Sequence, residues 1–418
     1  MDFNKFLTSV TKRRRSSMIR KWAKAFLRNP NSITLANGMP NAETFPLKEV
    51  SMTLNDGTKK VLRDKELCEC LQYGPSQGYP PLIAKWRDFQ EKYHRPLNNN
   101  WDVLFTSGSQ DGCSKVFDML VEEGDPVLIQ TPTYTGIINA LAPILPEFIG
   151  IEQDGDGIKP EIIENVCDER IRTGKALPKL LYVNPTGANP SGTVLSEVRR
   201  RRIYDLARKY DFLILEDDPY YFIHFLEKRP TSFFSLDTDG RVIRLDSFSK
   251  IMSAGIRLGV VTAHKEFLTK LIVHVESSIM HTSALSQVLL YKLLESWGPE
   301  KLDKHFKDVQ LFYQRKRDIM LAAVEKHLTG LAEWTVPQGG MFVWIKVTAL
   351  DDVMDLALNK CSTNGVFVLP GHAFEYDVTK PNRYLRLCYS YANPDEIDKA
   401  LSIVAKFIKA GASMKNVQ

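Results

Sequence analysis

Residues 242–250 read Val-Ile-Arg-Leu-Asp-Ser-Phe-Ser-Lys, a short apolar run that passes directly into a polar turn ending at Lys250. Other runs of this kind occur between residues 100 and 265, and helical stretches separate most of them. The full set is 103–105, 126–129, 180–183, 212–215, 242–245 and 258–261. Strands buried on both faces have such continuous apolar sequences, and helical crossovers between them make a sheet mostly parallel. The pattern therefore predicts an α/β fold built on a mostly parallel sheet.

The polar residues that follow these runs are the first candidates for a functional site, because ligands of such sheets bind beyond the carboxyl ends of the strands. After residue 305 the pattern changes. A long helical stretch runs to about His327, and an α+β region follows, with strands predicted at 340–346 and 384–389. This region predicts a second, smaller domain.

The composition excludes several classes of function. The chain has 418 residues, is 44% hydrophobic and carries a net charge of +5, which is too weak a balance over this length to indicate a nucleic-acid partner. Four consecutive arginines at 199–202 lie in a predicted amphipathic helix (196–210) and are typical of a solvated outer face. The sequence contains no run of eighteen apolar residues, so we expect no membrane span. Its histidines and cysteines form no metal-binding motif.

The N-terminus bears on the compartment. It has no apolar segment of the kind found in secretory signals, so we expect a protein that is not secreted. The basic stretch 12–15, Lys-Arg-Arg-Arg, has two interpretations, a mitochondrial transit function or a solvated arm. The expected compartment is the cytoplasm or the mitochondrial matrix.

The turn at Lys250 has the residues of a reactive site. A lysine amine sheltered between Ser249 and an apolar turn is a nucleophile that forms Schiff bases with aldehydes. Ser247, Ser249 and Arg257 add hydroxyl donors and a planar cation, which are the groups that bind a phosphate. The motif therefore indicates a reactive lysine beside a phosphate site.

Two adjacent acids follow the run at 212–215. In Glu-Asp-Asp-Pro-Tyr (216–220), a carboxylate at the strand end is suited to hold a pyridine nitrogen protonated, which makes the ring an electron sink. Asp218 immediately precedes Pro219 and fits a helix cap or surface turn better. We therefore favour Asp217 for the ring nitrogen and keep Asp218 as the alternative.

Two other strand ends carry candidate ligands of a phosphorylated ring. Residues 107–112, Ser-Gly-Ser-Gln-Asp-Gly, are expected to open a helix, where backbone N–H groups and the helix dipole attract a phosphate. Tyr134, in Pro-Thr-Tyr-Thr-Gly (132–136), is either a ring that stacks on a cofactor or an ordinary loop tyrosine.

Three further polar residues are candidates. Asn184 and Asn189 begin two similar motifs, Asn-Pro-Thr-Gly and Asn-Pro-Ser-Gly, and either is suited to donate to a phenolate-type ring oxygen. Arg386 lies on a short predicted strand between two leucines. An arginine in that setting needs an anionic partner, which is either a substrate carboxylate or an internal acid.

Together these motifs resemble the fold-type I, class I/II aminotransferases over nearly the whole chain, and most closely the 2-aminoadipate/kynurenine aminotransferase group. The strings that carry the resemblance are Ser-Gly-Ser-Gln (107–110), Ala-Arg-Lys-Tyr-Asp-Phe-Leu-Ile (207–214), Glu-Asp-Asp-Pro-Tyr-Tyr-Phe (216–222), Asp-Gly-Arg-Val-Ile-Arg (239–244), Asp-Ser-Phe-Ser-Lys (246–250) and Leu-Thr-Gly-Leu-Ala-Glu-Trp (328–334). The resemblance implies a pyridoxal-phosphate-dependent transferase fold of type I. Its sheet is mostly parallel, has seven strands sandwiched by helices, and is accompanied by a smaller α+β domain.

The resemblance also implies a role for each matching residue. The catalytic residues are Lys250, which forms the Schiff base, Asp217 at the pyridine nitrogen, and Tyr134, which stacks on the ring. The other residues that bind pyridoxal 5′-phosphate are Ser109, Gln110, Asn189, Tyr220, Ser247, Ser249, Arg257 and Tyr73. The residues that bind substrate are Arg386, Arg20, Gly38, Met39, Asn189 and Phe342, with Arg386 on the α-carboxylate. Asn189 is preferred to Asn184 because the family's asparagine lies 28 residues before its aspartate, and 217 minus 189 is 28.

The resemblance predicts a dimer and a division into domains. Tyr73, in Tyr-Gly-Pro-Ser-Gln-Gly (73–78), matches a tyrosine that reaches into the neighbouring subunit, which implies a homodimer with shared active sites. Asn37 and Met39 depart from the small residue and the leucine of the family pattern. The implied domains are an N-terminal arm over the active site (1–31), a large cofactor-binding domain (48–316) and a small domain (32–47 and 317–418).

The predicted reaction is a ping-pong transamination. It moves the amino group of 2-aminoadipate, kynurenine and other bulky or aromatic amino acids to 2-oxoglutarate, so the expected partners are amino acids and 2-oxo acids. A general aromatic aminotransferase and a β-lyase or decarboxylase on the same cofactor are the alternatives, since one fold hosts several chemistries. A transcription regulator built on this fold needs a DNA-binding domain, for which residues 1–30 are too short.

Overall fold

The computed structural model describes residues 1–28, 33, 35 and 38–415. Asn37, and parts of the predicted N-terminal arm and small domain, lie outside the described residues. The chain is described below as two compact units, one formed by Met1–Glu122 with Phe233–Lys304 and the other by Glu123–Ser232 with His305–Gln418. The domain boundaries predicted from the sequence stay a prediction.

The α-helices of the described residues follow in chain order. They are α1 (Ser9–Arg13), α2 (Met18–Arg28), α3 (Asp64–Leu71), α4 (Pro80–His94), α5 (Ser109–Leu120), α6 (Thr135–Leu141), α7 (Pro160–Arg172), α8 (Glu197–Tyr210), α9 (Phe233–Leu236), α10 (Lys265–Ser278), α11 (Ala284–Leu328) and α12 (Pro394–Lys415). The backbone of α11 is not helical at Gly298, which has a φ of 64° and is followed by Pro299. The helix is therefore two segments that meet at a kink.

The strands of the described residues are named in the same way. They are β1 (Val50–Thr53), β2 (Lys59–Leu62), β3 (Trp101–Thr106), β4 (Pro126–Thr131), β5 (Glu147–Asp154), β6 (Gly157–Ile158), β7 (Leu180–Val183), β8 (Leu213–Asp217), β9 (Val242–Ser247), β10 (Gly259–His264), β11 (Ala332–Trp334), β12 (Phe342–Val347), β13 (Leu369–Pro370) and β14 (Tyr384–Cys388). All six apolar runs found in the sequence lie in or overlap one of these strands.

The first unit contains a three-stranded group in the order β3-β10-β9. Strand β10 is antiparallel to both of its neighbours. All residues of β9 and β10 are buried, as the unbroken apolar runs predicted. Strands β1 and β2 form a separate antiparallel pair in this unit.

The second unit contains a five-stranded group in the order β8-β7-β4-β5-β6. The pairs β8–β7, β7–β4 and β4–β5 are parallel, and β6 turns back antiparallel to β5. A four-stranded antiparallel sheet, β11-β12-β14-β13, lies in the same unit. Its strands β12 and β14 are the ones predicted near 340–346 and 384–389.

The predicted fold class, a mostly parallel sheet with helices and a smaller α+β part, is confirmed. The number of strands differs, because the three- and five-stranded groups have eight strands in the described residues and not seven. Seven strands remain if β6 is not counted. Strand β6 has only two residues, so the sequence shows no apolar run there. The antiparallel direction of β10 was also not predicted, since an apolar run reports burial and not direction.

The arginine-rich helix α8 is mostly but not wholly a solvated face. Arg201 and Arg202 are exposed and pair with Glu197 and Glu164. Arg200, in contrast, is fully buried, and its guanidinium donates to the carbonyl oxygens of residues 185 and 195. The prediction of a solvated face is therefore wrong for Arg200.

Candidate active site

In the first unit, the register of β10 brings two of the predicted strand ends to one edge. Gly259, the first residue of β10, pairs with Thr106 at the end of β3 and with Ser247 at the end of β9. The turn after β3 and the turn that carries Lys250 therefore both leave the strands beside Gly259. This is the edge where the sequence predicted a phosphate site.

The start of α5 at this edge requires a glycine. Gly108 is the N-cap residue and has a φ of +94°, a conformation that L side chains rarely adopt. A Cβ atom at Gly108 would lie 2.6 Å from Nη2 of Arg257, and the same Nη2 donates to the carbonyl oxygen of Ser107 at 3.3 Å. An exposed guanidinium thus lies against the first turn of a helix, where backbone N–H groups and the helix dipole also attract anions. The arrangement fits a phosphate.

The turn that carries Lys250 is held in place by buried residues behind it. Asp246 accepts hydrogen bonds from Arg244 at 3.0 and 2.8 Å and from Gln90 at 2.6 Å. Phe248 is fully buried and packs edge-on against Trp86. Lys250 itself is half-buried and lies in this turn.

The two predicted serines lie in the same turn. The backbone N–H of Ser249 donates to Oγ of Ser247 at 3.3 Å, so the two predicted phosphate ligands are neighbours. Two further predicted phosphate ligands, Ser109 and Gln110, are the first two residues of α5. Within this unit the structure thus brings together the predicted phosphate residues.

The predicted N-terminal substrate residues converge on the segment around Tyr73. Nη2 of Arg20, in α2, donates to Oγ of Ser76 at 3.2 Å and to the carbonyl oxygen of Met280 at 2.8 Å. The side chain of Gln72 donates to the carbonyl oxygen of residue 40 at 2.8 Å, next to the exposed Gly38 and the half-buried Met39. Tyr73 is 47% exposed, and its ring lies edge-on to His281.

In the second unit, Asp217 ends β8 as predicted and is buried. The hydroxyl of Tyr182 donates to its Oδ2 at 2.8 Å, and the side-chain amide of Asn184 donates to its carbonyl oxygen at 2.7 Å. The alternative, Asp218, is not on the surface, since only 1% of it is exposed, and its Oδ2 accepts from Thr186 at 3.3 Å. The interpretation of Asp218 as a surface-turn acid is therefore wrong.

The two candidate asparagines have different surroundings. Asn184 is held by the chain on both sides, because its Nδ2 donates to residue 217 and its Oδ1 accepts from the backbone N–H of Asn189 at 2.8 Å. Oδ1 of Asn189 accepts from Nη1 of Arg386 at 2.9 Å. Asn184 therefore supports the loop, whereas the Asn189 side chain lies beside the predicted substrate arginine and retains an NH₂ group to donate.

Arg386 lies between aromatic rings. Its guanidinium carbon is 4.2 Å from the ring centre of Phe342 and 5.0 Å from that of Phe374. Burial lowers its pKa from the usual value, and its Nε is buried and makes no hydrogen bond within the described residues. No acid of the described chain forms an ion pair with it, so the alternative of an internal salt bridge is not observed. Such a guanidinium is suited to a carboxylate from outside the chain.

The two predicted tyrosines lie near this arginine. Tyr220 is buried and edge-on to Phe342, and burial raises its pKa from the usual value while Arg386 acts in the opposite direction. Tyr134 immediately precedes α6 and is 36% exposed. The backbone N–H of the preceding residue, 133, donates to the carbonyl oxygen of Phe374 at 2.9 Å, which ties this loop to the aromatic wall of Arg386.

Some residues of the site were not predicted. Tyr182 and Phe374 are recognised only through their contacts with Asp217 and Arg386 in the folded chain. No group of His, Cys, Asp and Glu side chains within the described residues is arranged to hold a metal ion. None of the described helices has the length and apolar character needed to cross a bilayer.

Comparison with known proteins identifies similar chains. The sequence profile described as aminotransferase class I and II matches residues 35–404. The chain is 39% identical to the mitochondrial kynurenine/alpha-aminoadipate aminotransferase of Bos taurus, over 98% of this chain and 99% of the relative.

Two solved structures are also similar to it. The crystal structure of a Candida albicans aminotransferase superposes with a TM-score of 0.90 at 26% identity, covering 99% of both chains. The structure of Pyrococcus horikoshii kynurenine aminotransferase, in complex with PMP and with KYN and KYA as substrate and product, superposes with a TM-score of 0.79 at 30% identity, covering 98% of both chains.

Proposed function

Because the chain belongs to the class I and II aminotransferase family, we propose that it moves the amino group of 2-aminoadipate, kynurenine and other bulky or aromatic amino acids to 2-oxoglutarate. The family makes it a pyridoxal 5′-phosphate-dependent transferase of the EC 2.6.1 type that acts on amino acids and 2-oxo acids. The substrate choice is supported by relatives that are named for kynurenine and aminoadipate.

The residues present fit the cofactor. Three groups are suited to bind the phosphate. They are the first turn of α5, the Arg257 guanidinium and the two serines near Lys250. The buried carboxylate of Asp217 suits a protonated ring nitrogen. When bound, the cofactor supplies an electron sink for negative charge that develops at the substrate α-carbon.

Lys250 is assigned the catalytic role in the first unit. Lys250 would hold the cofactor covalently, and its amine, once free, would move a proton at the substrate α-carbon as a general acid–base. The half-buried position of Lys250 in a fixed turn supports this role, because proton transfer depends on a well-placed amine.

The residues of the second unit are assigned to the ring. Asp217 would hold the proton on the pyridine nitrogen, and Tyr182 orients that carboxylate by donating to its Oδ2. Asn189 and Tyr220 donate to the ring oxygen, and Tyr134 stacks on the ring face.

The observation that carries the proposal is the environment of Arg386. Its guanidinium is stacked against two aromatic rings, is held by Asn189, and has no acidic partner in the described chain. An amino-acid or 2-oxo-acid carboxylate supplies that partner with bidentate geometry. Since every substrate carries the α-carboxylate, Arg386 binds all of them and selects among none.

Side-chain selection is assigned to other residues. Phe342 lies under the Arg386 guanidinium and edge-on to Tyr220, which gives it an apolar face for an aromatic substrate. Arg20, Gly38 and Met39 are proposed to meet the substrate side chain from the N-terminal segment. Met39 is unbranched and adaptable, so it suits side chains of different shape.

We also propose that the protein is a homodimer with shared active sites. The exposed ring of Tyr73 supports this, because an aromatic ring of a family site residue is left uncovered by its own chain. Mixing inactive Tyr73→Phe and Lys250→Ala proteins is expected to restore part of the activity once subunits exchange. A fully active monomer at assay concentration would refute the dimer. We propose the cytoplasm or the mitochondrial matrix as the compartment, and the mitochondrial relative supports this proposal.

A substrate panel in single half-reactions tests the proposed function. Each amino acid is added alone to the loaded enzyme, and the cofactor absorbance is followed. A transaminase leaves stoichiometric pyridoxamine phosphate and one 2-oxo acid, whereas a β-lyase releases ammonia and pyruvate. Turnover of alanine or aspartate with none of aminoadipate, kynurenine or aromatic amino acids would overturn the proposed substrate class and keep only the aminotransferase activity.

A further inference from the structure

The first turn of α5 contains an acid that is paired with a buried lysine. Nζ of Lys115 forms an ion pair with Oδ1 of Asp111 four residues earlier, and Oδ2 of Asp111 accepts the backbone N–H of Ser107 at 3.0 Å. Only 5% of Lys115 is exposed, so its charge is withdrawn from water. Asp111 is the single ion-pair partner of this lysine within the described chain. A lysine is rarely buried without such a partner.

The position of Asp111 conflicts with the ligand proposed for this helix. An acid in the first turn favours the helix, because it complements the positive end of the dipole. The same end of α5, with Arg257 against Gly108, is where the cofactor phosphate is proposed to bind. A phosphate monoester carries close to two negative charges at neutral pH, so a third negative charge one turn away opposes its binding.

The Asp111–Lys115 pair differs in burial from a similar ion pair in α8. In α8, Glu197 in the first turn pairs with Arg201 four residues later, but the Arg201 side chain is 61% exposed and the pair is solvated. The Lys115 side chain is 7% exposed. Charges that are shielded from water act more strongly on their neighbours, because the local dielectric constant is lower.

We infer that Asp111 and Lys115 are positioning residues of the phosphate subsite. Asp111 holds the Ser107–Gly108 turn through the N–H of residue 107, and Lys115 cancels the charge of Asp111 so that the turn accepts a dianion. This inference rests on the proposed function, since it takes the start of α5 as the phosphate site. It assigns neither residue a contact with the cofactor.

Affinity measurements with and without the phosphate test this inference. Apo protein is titrated with pyridoxal 5′-phosphate and with pyridoxal, which lacks the phosphate, and the ratio of the two dissociation constants is compared. Lys115→Met leaves the Asp111 charge unopposed, and is expected to weaken pyridoxal phosphate binding about 10- to 100-fold while pyridoxal binding changes little. The double variant Asp111→Asn/Lys115→Met is expected to recover most of that loss. Arg201→Met, at the solvated pair, is the matched control and leaves the ratio unchanged.

A second variant tests the sign of the effect. Asp111→Asn keeps an oxygen to accept the Ser107 N–H but removes the negative charge, so the preference for pyridoxal phosphate over pyridoxal does not fall. A fall in Asp111→Asn, or equal weakening of both ligands in Lys115→Met, would overturn the inference and leave the pair a purely structural one. If the unsubstituted protein binds neither ligand, the proposed function fails as well. If the unsubstituted protein binds pyridoxal phosphate tightly and Lys115→Met leaves the ratio of the two dissociation constants unchanged, the inference fails and the proposed function stands.

Discussion

The hydroxyl of Tyr182, on β7, donates a 2.8 Å hydrogen bond to Oδ2 of Asp217, at the end of β8. Both residues are buried, and the two strands are parallel neighbours. A hydrogen bond donated to a carboxylate stabilises its ionised form, and in a buried place this bond is stronger than in water. Tyr182 therefore orients the carboxylate of Asp217, which is proposed to hold a proton on a ring nitrogen.

We predict a graded loss of activity from these two residues. Asp217→Ala is expected to lower kcat by roughly 10²- to 10³-fold with the fold retained, because the partner of the ring proton is gone. Tyr182→Phe is expected to lower it by about tenfold, because one hydrogen bond to a charged group is lost. Steady-state kinetics and circular dichroism measure both, and Asp218→Asn is the control. Near-normal rates in Asp217→Ala with retained cofactor would move the role to Asp218.

Replacement of Lys250 is expected to remove covalent attachment of the cofactor. Purified protein should be yellow, and after reduction with borohydride its mass should include the cofactor. In Lys250→Ala the mass increase should be absent and turnover should fall by at least about 10²-fold, because the general acid–base is lost. A small added amine is expected to restore part of the rate. Full activity without any added amine would contradict the assignment of Lys250.

The sequence identified candidate residues at the strand ends, but it did not indicate how all of the strands are arranged. Asp217 and Lys250 each follow an apolar run closely, so a local pattern was enough to make them candidates. The choice of Asn189 over Asn184 came from the spacing to Asp217, and the different hydrogen bonds of the two residues are consistent with it.

Contacts between distant segments were beyond a local pattern. Asn189 and Arg386 are 197 residues apart, and nothing near either residue indicates that their side chains meet. The second aromatic ring at Arg386, that of Phe374, likewise comes from a separate segment, a short 3-10 helix (Gly371–Phe374). The antiparallel direction of β10 depends on which strands it joins, and an apolar run does not contain that information. The burial of Arg200 was also not predicted, because the three arginines next to it in the sequence give no sign of which one is buried.

Gln153, which the sequence analysis did not predict to be important, connects two loops of the second unit. Oε1 of Gln153, on β5, accepts from Gln130 at 3.0 Å, from Ser191 at 2.9 Å and from Thr193 at 3.1 Å. Its Nε2 donates to the carbonyl oxygen of Pro132 at 3.0 Å. One side chain thus joins the loop before α6 to the loop that follows residue 189.

We predict that Gln153→Leu raises KM for all amino-acid substrates by several-fold, since the loops of Tyr134 and Asn189 lose a shared anchor. Buried donors left without a partner should also lower the free energy of unfolding by about 1–3 kcal/mol. Steady-state kinetics and denaturant unfolding measure the two effects. Glu152→Ala, at a solvated neighbour on the same strand, is the control. A stability loss without any change in KM would show that Gln153 supports the fold alone.

Glu375 is expected to make stability depend on pH. Burial raises its pKa to about 7, against an ordinary value of 4.5, with Lys380 and Asp377 acting in opposite directions. The folded protein therefore binds this proton more tightly than the unfolded chain. The resulting stability is fully present below pH 4.5 and is lost as the pH rises through about 7.

Glu375→Gln removes this loss because the amide stays neutral. The variant should match the unsubstituted protein near pH 4.5 and be more stable at pH 8, by about 1 kcal/mol once solvent screening of the half-buried group is allowed for. Thermal melting at the two pH values measures the difference. Equal melting temperatures at pH 8 would show that the carboxyl ionises without cost.

The last prediction concerns Arg20 and substrate choice. Its guanidinium donates to two neutral oxygens, on Ser76 and Met280, and its Nε is buried without a hydrogen bond in the described residues. No acid of the described chain pairs with it, so its charge is available for an anion. The competing interpretation is that Arg20 only anchors α2 to the segment next to Tyr73.

These two interpretations differ in what Arg20→Ala does to different substrates. Loss of a charge-assisted contact costs about 1.5–3 kcal/mol, which is about 10- to 150-fold in the specificity constant. If Arg20 binds the distal carboxylate of aminoadipate or 2-oxoglutarate, these dicarboxylic substrates lose that factor and aromatic amino acids are spared. If Arg20 is an anchor, both classes lose equally, and Ser76→Ala, which removes one of its neutral contacts, lowers both classes in the same proportion. Specificity constants for aminoadipate and phenylalanine, measured in both variants, decide the matter, because only a contact with the distal carboxylate separates the two substrates.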